Sequence, residues 1–400
     1  MVIGAGPAGS LAAHRLAGAG ASVLLIDAAR FPRDKPCGGG LTARAVRELP
    51  FSPAPVVEQE VDRLVVRLRD TLRLERASAA PLALMTQRVR LDAFLVERAV
   101  AAGAQFLDGV RARAVDSGEG RVELAGRRPV RGTVVIGADG ANGVCARALG
   151  HRREFGVAIE GRLPYERAAE ALDRRAALIE LGDIGGGYGW LFPKADHLNV
   201  GVGGAPREGP RLRAHLARLC AAHGVRPGQL DGVRGYRLPI RVPGSVPARD
   251  RVLLVGDAAG LIDPVSGDGM YEAFVSARLA AEAALRMLAG RPSATSYAAA
   301  LERELGGLHA LSWHVKLALE RFPRLMIALA SSAAGWRDLE AVVGGARPGA
   351  EISRGVGAAI GALAAVARLT GDPADPWRLA PRYGSGRGWS RAARQAAQEA

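Results

Sequence analysis

Three glycines near the start of the chain, Gly4-x-Gly6-x-x-Gly9, follow the apolar run Met1-Val2-Ile3 and lead into an Ala/Leu-rich stretch. Between a strand and a helix, this spacing serves phosphate chemistry. The first glycine permits a tight turn, the second lets backbone approach a pyrophosphate, and the third lets helix and strand pack closely. The helix N-terminus adds free N–H groups and partial positive charge. Asp27 ends the next apolar run, Ser22–Ile26, where a carboxylate can take both hydroxyls of an adenosine ribose. Two later segments also end an apolar run in Gly and Asp: Val135-Ile136-Gly137-Ala138-Asp139-Gly140 and Arg251-Val252-Leu253-Leu254-Val255-Gly256-Asp257. The first segment alone predicts a dinucleotide site.

The elements that must hold these residues can be read from periodicity. A helix over about 8–19 and a buried parallel strand over 22–27 complete a βαβ unit. The first strand is a stump, so its start is expected a few residues upstream. Residues 28–43 read as a Pro/Gly-rich loop. A hairpin is predicted over Leu64–Leu68 and Leu72–Leu74 through Arg69-Asp70-Thr71. A helix over 91–102, a strand Gln105–Leu107, short strands to about Val130 and an apolar strand Thr133–Ile136 follow. Residues 154–204 are strand-like and glycine-rich, which predicts a second, antiparallel sheet. After strand 251–255, Asp268 opens a long helix with Met270, Phe274, Ala277, Ala281, Ala284 and Leu288 on one face, and Arg278, Glu282 and Arg286 on the other. Ala/Leu-rich helices continue to about 370, before a Gly/Arg/Pro tail that reads as partly disordered. The expected organisation is α/β: a discontinuous Rossmann-type domain (1–60, 82–153, 248–290), an antiparallel-sheet substrate domain (61–81, 154–247), a helical region (291–372) and the tail (373–400).

The bulk numbers exclude several classes. At 400 residues, 48% hydrophobic and 24% charged, the chain can bury a sizeable core and is not compositionally disordered. Its net charge of +14 is almost all arginine. Such a surface attracts phosphates or anionic lipid, but no dense basic run with interleaved aromatics argues for nucleic acid. Cys37, Cys145 and Cys220 are far apart with no CxxC, which excludes a cysteine-ligated cluster and fits a reducing cytoplasm. The apolar stretch 355–367 is too short to span a bilayer, so the expectation is a cytoplasmic protein, compatible with peripheral contact on the inner membrane face. His309 and His314 are five apart, the wrong spacing for one helical face, and no metal site is expected.

The Gly-Asp ending at Asp257 resembles the second FAD motif of glutathione-reductase-like and hydroxybenzoate-hydroxylase-like flavoproteins, and Asp139-Gly140 resembles their Asp-Gly motif. Lys35-Pro36-Cys37-Gly38-Gly39-Gly40-Leu41 is similar to the K-x-C-G-G-G signature of the geranylgeranyl reductase family. Tyr188-Gly189-Trp190-Leu191-Phe192-Pro193-Lys194 resembles that family's Y-x-W-x-F-P motif. Pro264-Val265-Ser266-Gly267-Asp268-Gly269-Met270 resembles its P-x-x-G-E-G-I segment. The likeness covers residues 1 to about 290. It implies FAD as cofactor, held by Gly4, Gly6, Ala8, Gly9, Asp27, Cys37, Gly38, Gly39, Arg88, Ala112, Asp257, Gly267, Gly269 and Met270. It implies a prenyl-chain substrate against Tyr188, Trp190, Phe192 and Pro193, and it places Cys37 at the ring as proton donor or stabiliser of a developing cation.

Three departures bear on cofactor geometry. Asp268 replaces the family's glutamate. Ser276-Ala277 replaces a Ser-Gly pair and is expected to crowd a close approach. Gly143 and Ala146 replace a Ser and an Arg, with Arg147 adjacent. No second Rossmann motif is present, so NAD(P)H, another reductant or an electron-donor protein must supply electrons. Three other readings remain at this point: a flavin-dependent monooxygenase or halogenase, a cluster-free electron-transfer quinone dehydrogenase, and a non-enzymatic prenyl-binding escort.

Overall fold

The computed structural model describes residues 1–69, 71–168, 173–242, 244–291, 294–344 and 352–370. The expected tail and residue 70 of the predicted hairpin turn lie outside them. Unbroken apolar runs become the central strands of a six-stranded sheet in the order 248–249, 252–254, 135–137, 2–3, 24–26, 105–107. All its pairs are parallel except the edge pair 248–249 with 252–254. Helices Pro7–Gly18, Arg88–Ala101 and Met270–Leu288 pack around it. Leu11, Leu16, Leu91, Leu95, Phe274 and Ala277 are buried there with the strand residues. Phe274, Ala281 and Ala284 follow the expected inner face, whereas Leu288, the last residue of the helix, is 47% exposed.

A second sheet of seven strands runs 231–241, 153–164, 197–204, 188–193, 176–181, 63–68, 72–77. The predicted hairpin is its far edge, paired Leu68 to Leu72. The sheet departs from the antiparallel expectation at one place: 63–68 and 176–181 run parallel, because a long excursion through the first sheet separates them. Its outer face, with Leu191, Val200 and Val202, packs on Leu212, Leu216 and Leu219 of helix Leu212–Ala222.

Register fixes the inner face. Ile179 lies opposite Trp190, Trp190 opposite Gly201, Gly201 opposite Glu160 and Glu160 opposite Arg234. Side chains two apart share a face. Leu74, Val66, Ile179, Tyr188, Trp190, Phe192, Tyr236 and Leu238 therefore form one continuous roof. Gly201 keeps it open, since a methyl there would lie 2.2 Å from the Trp190 ring. Helix Ala294–Arg321 is pinned behind the first sheet by Tyr297, whose hydroxyl donates to Leu254 O at 2.6 Å. Helices Pro323–Ser331, Ala333–Gly344 and Arg354–Thr370 close the far end.

Candidate active site

Four phosphate- and sugar-directed segments leave the C-terminal ends of four adjacent parallel strands. Gly4 follows strand 2–3, Asp27 follows 24–26, Asp139 follows 135–137 and Asp257 follows 252–254. The strand order reverses between 2–3 and 135–137, where open α/β sheets bind ligands. All four segments border one cavity of about 1050 Å³.

The glycine turn is built for close approach. Gly4 has φ +100°, and a Cβ there would lie 2.3 Å from Ala138 O. A Cβ on Gly9 would lie 1.8 Å from Gly4 O, so Gly9 acts in packing and does not border the cavity. Gly6 faces a notch whose nearest groups are guanidinium nitrogens, Arg33 Nη2 at 3.5 Å and Arg88 Nη2 at 3.8 Å from the missing methyl. The fully buried carboxylate of Asp92 holds both arginines, Arg88 through two 2.7 Å hydrogen bonds and Arg33 at 2.6 Å. Burial would lower the Arg88 pKa, but Asp92 more than reverses this, so the charge is permanent. Asp27 accepts N–H bonds from Ala5 and Ala29, each at 2.8 Å, which fixes its carboxylate at the end of the turn.

At the other end, Asp257 is bonded by Lys35 Nζ at 2.8 Å. Burial pushes its carboxyl up, but Lys35, Arg88 and Arg153 outweigh that and hold it below the usual carboxylate range. In the Ser-Ala pair, Ala277, which stands where the family has glycine, is fully buried, and the Ser276 hydroxyl accepts the Gly256 N–H at 3.0 Å and anchors this turn. Arg147 is exposed and does not replace the missing arginine. Arg153 ties the two Gly/Asp loops together, donating to Gly140 O, Asp257 O and Ala258 O at 3.2–3.3 Å. Gly143 leaves room for the Asp139 carboxylate, which accepts the N–H groups of Val144 and Cys145. The shorter Asp268 accepts the N–H groups of Gly269 and Met270 at 2.7 and 3.0 Å and starts the long helix.

The Cys37-Gly38-Gly39 loop crosses the cavity between these ends. Lys194, 2% exposed, donates to Gly38 O (2.6 Å), Gly39 O (3.1 Å) and Thr86 O (3.0 Å). Burial lowers its pKa to about 8. Gly39 has φ +67°, and a side chain there would strike Thr86 O. Cys37 donates its N–H to Glu160 Oε1 at 2.7 Å, and its sulfur receives the Gly39 N–H at 3.3 Å. Burial pushes the thiol up, so it stays protonated at neutral pH. Along the roof Tyr188 meets Trp190 edge-on with ring centroids 5.9 Å apart, and Trp190 stacks on Phe192 at 6.2 Å. Trp190 Nε1 donates to Asn199 Oδ1 at 2.7 Å, and Tyr188 donates to Ser266 O. Pro193, expected against the substrate, is buried on the opposite face, because a strand cannot present 192 and 193 to one side.

Ala8, Cys37, Gly38, Gly39, Arg88, Ala112, Gly267, Gly269 and Met270 all border the cavity, as do Gly4, Gly6, Asp27 and Asp257. Residues 1–162 match the FAD binding domain family model. Digeranylgeranylglycerophospholipid reductase 1 of Methanopyrus kandleri is 32% identical over 317 residues, covering 74% of this chain and 83% of the relative. The chain belongs to the geranylgeranyl reductase family of FAD-dependent oxidoreductases. Menaquinone reductase of Mycobacterium tuberculosis is 33% identical, covering 70% of this chain and 75% of its own. The chloroplastic geranylgeranyl diphosphate reductase of Nicotiana tabacum is 32% identical over 70% of this chain, which spans 65% of that relative's length. Among solved structures, a geranylgeranyl bacteriochlorophyll reductase-like protein of Thermoplasma acidophilum superposes with TM-score 0.73, 22% identity and coverage of 90% and 94%. The flavin-dependent brominase Bmp2 superposes equally, TM-score 0.73 at 19% identity over 90% and 96%, so the fold alone does not separate reductase from halogenase.

The residues present fit FAD: a notch at Gly6 faced by two fixed guanidiniums, a ribose-directed acid at Asp27 and a second acid at Asp257, along one cavity. Arg33, Asp92 and Arg153 carry part of this geometry without belonging to any motif. The partners of Arg33 and Arg153 are remote in sequence, while Asp92 lies one helical turn after Arg88, an i,i+4 spacing that would also suit an ordinary surface pair.

Proposed function

We propose that this chain transfers hydride from reduced FAD to the C=C bonds of a prenyl substrate. The observation that carries this reading is the apolar lining of the cavity. Besides the Cys37 loop and the aromatic roof, the same cavity is bordered by Leu311, Val315, Leu319, Met326, Val356 and Ile360 of the C-terminal helices. A lining this apolar suits a linear chain of isoprene units. It also argues against a quinone head group alone as substrate, although a quinone tail would fit. The intact nucleotide cradle argues against a flavin-free escort.

When bound, FAD supplies the hydride; the chain must orient the alkene, exclude water and place a proton. Trp190 and Phe192 offer flat apolar faces for the isoprene units. Cys37 stands at the junction of cradle and apolar lining as a neutral thiol, suited to the developing positive charge or to proton donation. Cys37→Ala is expected to bind FAD normally and to lose at least tenfold in kcat.

Among the described residues no helix is long and apolar enough to cross a membrane. Leu325 (55% exposed), Val366 and Leu369 project from the terminal helices beside exposed Arg321 and Arg324, which supports peripheral contact with anionic lipid as the route by which a prenyl chain enters. The electron donor in this reading is NAD(P)H or a donor protein docking from outside the cavity. The test of the function is mass spectrometry of prenyl lipids and prenyl diphosphates from cells making the protein. Added pairs of hydrogens support it; unchanged prenyl species together with oxygen-dependent halogenation or hydroxylation overturn it.

A further inference from the structure

Glu160 is an acid in the roof that no motif marks. It is 6% exposed on strand 153–164, on the cavity side of the sheet. Its Oε1 takes the Cys37 N–H, and its Oε2 lies 3.3 Å from the hydroxyl of Tyr236, accepting from it when Glu160 is ionised and donating to it when Glu160 carries its proton. The Asn199 amide, oriented by Trp190, is a third partner. Tyr236, on the neighbouring strand, borders the cavity directly. A buried carboxylate with no ion-paired arginine is costly, and the cost falls if it keeps its proton.

The groups facing Glu160 come from four elements: Cys37 from the N-terminal loop, Lys194 at the end of strand 188–193, Asn199 from strand 197–204 and Tyr236 from strand 231–241. Burial pushes Glu160 up, and the pull of these partners and of Lys194 does not cancel it. Burial likewise raises Tyr236, with Glu160, Cys37 and Tyr188 adding to the effect.

We propose that Tyr236 is a proton donor to the substrate and that Glu160 is the buried acid that restores the tyrosine's proton. This rests on the alkene-reduction reading of the same cavity. In the step, hydride from reduced FAD forms a C–H bond at one alkene carbon and supplies both electrons. The Tyr236 O–H bond breaks as a C–H bond forms at the other carbon. The phenolate then takes the proton of the Glu160 carboxyl, and the carboxylate regains one from solvent before the next turnover. Tyr236 is thus a catalytic residue, Glu160 acts through it, and Cys37 is left to stabilise the developing cation.

The test compares Tyr236→Phe and Glu160→Gln with the wild-type holoenzyme. Glutamine keeps an acceptor for the Cys37 N–H but has no carboxyl proton. Expected are unchanged FAD absorbance, KM within about twofold, kcat down at least tenfold and an altered solvent deuterium isotope effect in both variants. Other buried carboxyls, Glu272 among them, are also pushed up, so the reading is the wild-type-minus-Glu160→Gln infrared difference spectrum of the oxidised protein without substrate, which should contain a protonated-carboxyl band at neutral pH. Unchanged kcat and isotope effect in Tyr236→Phe, or a wild-type-minus-Glu160→Gln difference spectrum with no protonated-carboxyl band, overturns the proposal. A wild-type protein that saturates no prenyl substrate refutes the alkene-reductase reading instead, while the infrared measurement still reads the state of Glu160.

Discussion

Replacing Asp92 by Asn tests whether Arg33 and Arg88 are aimed at the nucleotide's phosphates. Asp92 is fully buried and its one carboxylate pairs with two guanidiniums through the three oxygen–nitrogen contacts given above. Breaking a buried pair by removing one partner costs about 3–5 kcal/mol, because the charge left behind is uncompensated. At roughly 2 °C per kcal/mol for a chain of this size, the apoprotein should melt about 6–10 °C below wild type. A pyrophosphate at the Gly6 notch would bring negative charge back to the same two arginines. Saturating FAD should therefore raise the melting temperature of the variant by several degrees more than it raises that of the wild type. Differential scanning fluorimetry on both apoproteins, with and without FAD, gives the four values needed. An equal FAD-induced shift in the two proteins would mean that the arginines serve only the fold. An apoprotein loss under about 2 °C would mean that the buried pairs are not as tight as their geometry.

Other outcomes follow from single contacts. Gly9→Ala drives a methyl into Gly4 O and should abolish FAD binding, seen as colourless purified protein. Lys194 has a folded pKa of about 8 against 10.5 for a free lysine, so between those values the unfolded chain holds more protons and stability must rise with pH. Lys194→Met should remove that rise, measured as the change in melting temperature between pH 7.5 and 10; an identical rise in both proteins would contradict the assignment. The Cys37 thiol, raised by burial, should react with iodoacetamide more slowly than free cysteine at pH 9, and alkylation as fast as free cysteine would show it unburied. Ile360→Phe adds bulk where the C-terminal helices border the cavity, and should raise KM for a geranylgeranyl substrate severalfold while sparing a geranyl one; equal effects on both would place the chain elsewhere.

The nucleotide cradle was legible because each of its segments is local: a strand, a turn whose glycines have steric reasons, and an acid at the next strand's end. The roof was half legible. Alternation placed Tyr188, Trp190 and Phe192 on one face, and the same alternation should have excluded Pro193, which the motif likeness brought in. Glu160 and Tyr236 were hidden because their meaning depends on cross-strand register and on Cys37, 123 residues away from Glu160. The same holds for Arg153, which bridges two loops that only the folded sheet brings together. The parallel pairing of 63–68 with 176–181 leaves no mark in either strand's pattern, since direction is set by the chain between them. Ser276 anchors the Asp257 loop because its hydroxyl meets the Gly256 N–H, twenty residues away, a contact that no sequence rule could locate.

The central claim is that hydride leaves reduced flavin for a prenyl C=C bond inside this cavity. The direct measurement is an anaerobic single turnover: photoreduced holoenzyme mixed with geranylgeranyl diphosphate or a prenyl lipid, with flavin absorbance followed and products analysed by mass spectrometry. Reoxidation that tracks the gain of two hydrogens per flavin is predicted. Reduced flavin that persists with every tested prenyl substrate, yet reoxidises rapidly on adding oxygen with an aromatic acceptor, would contradict the account.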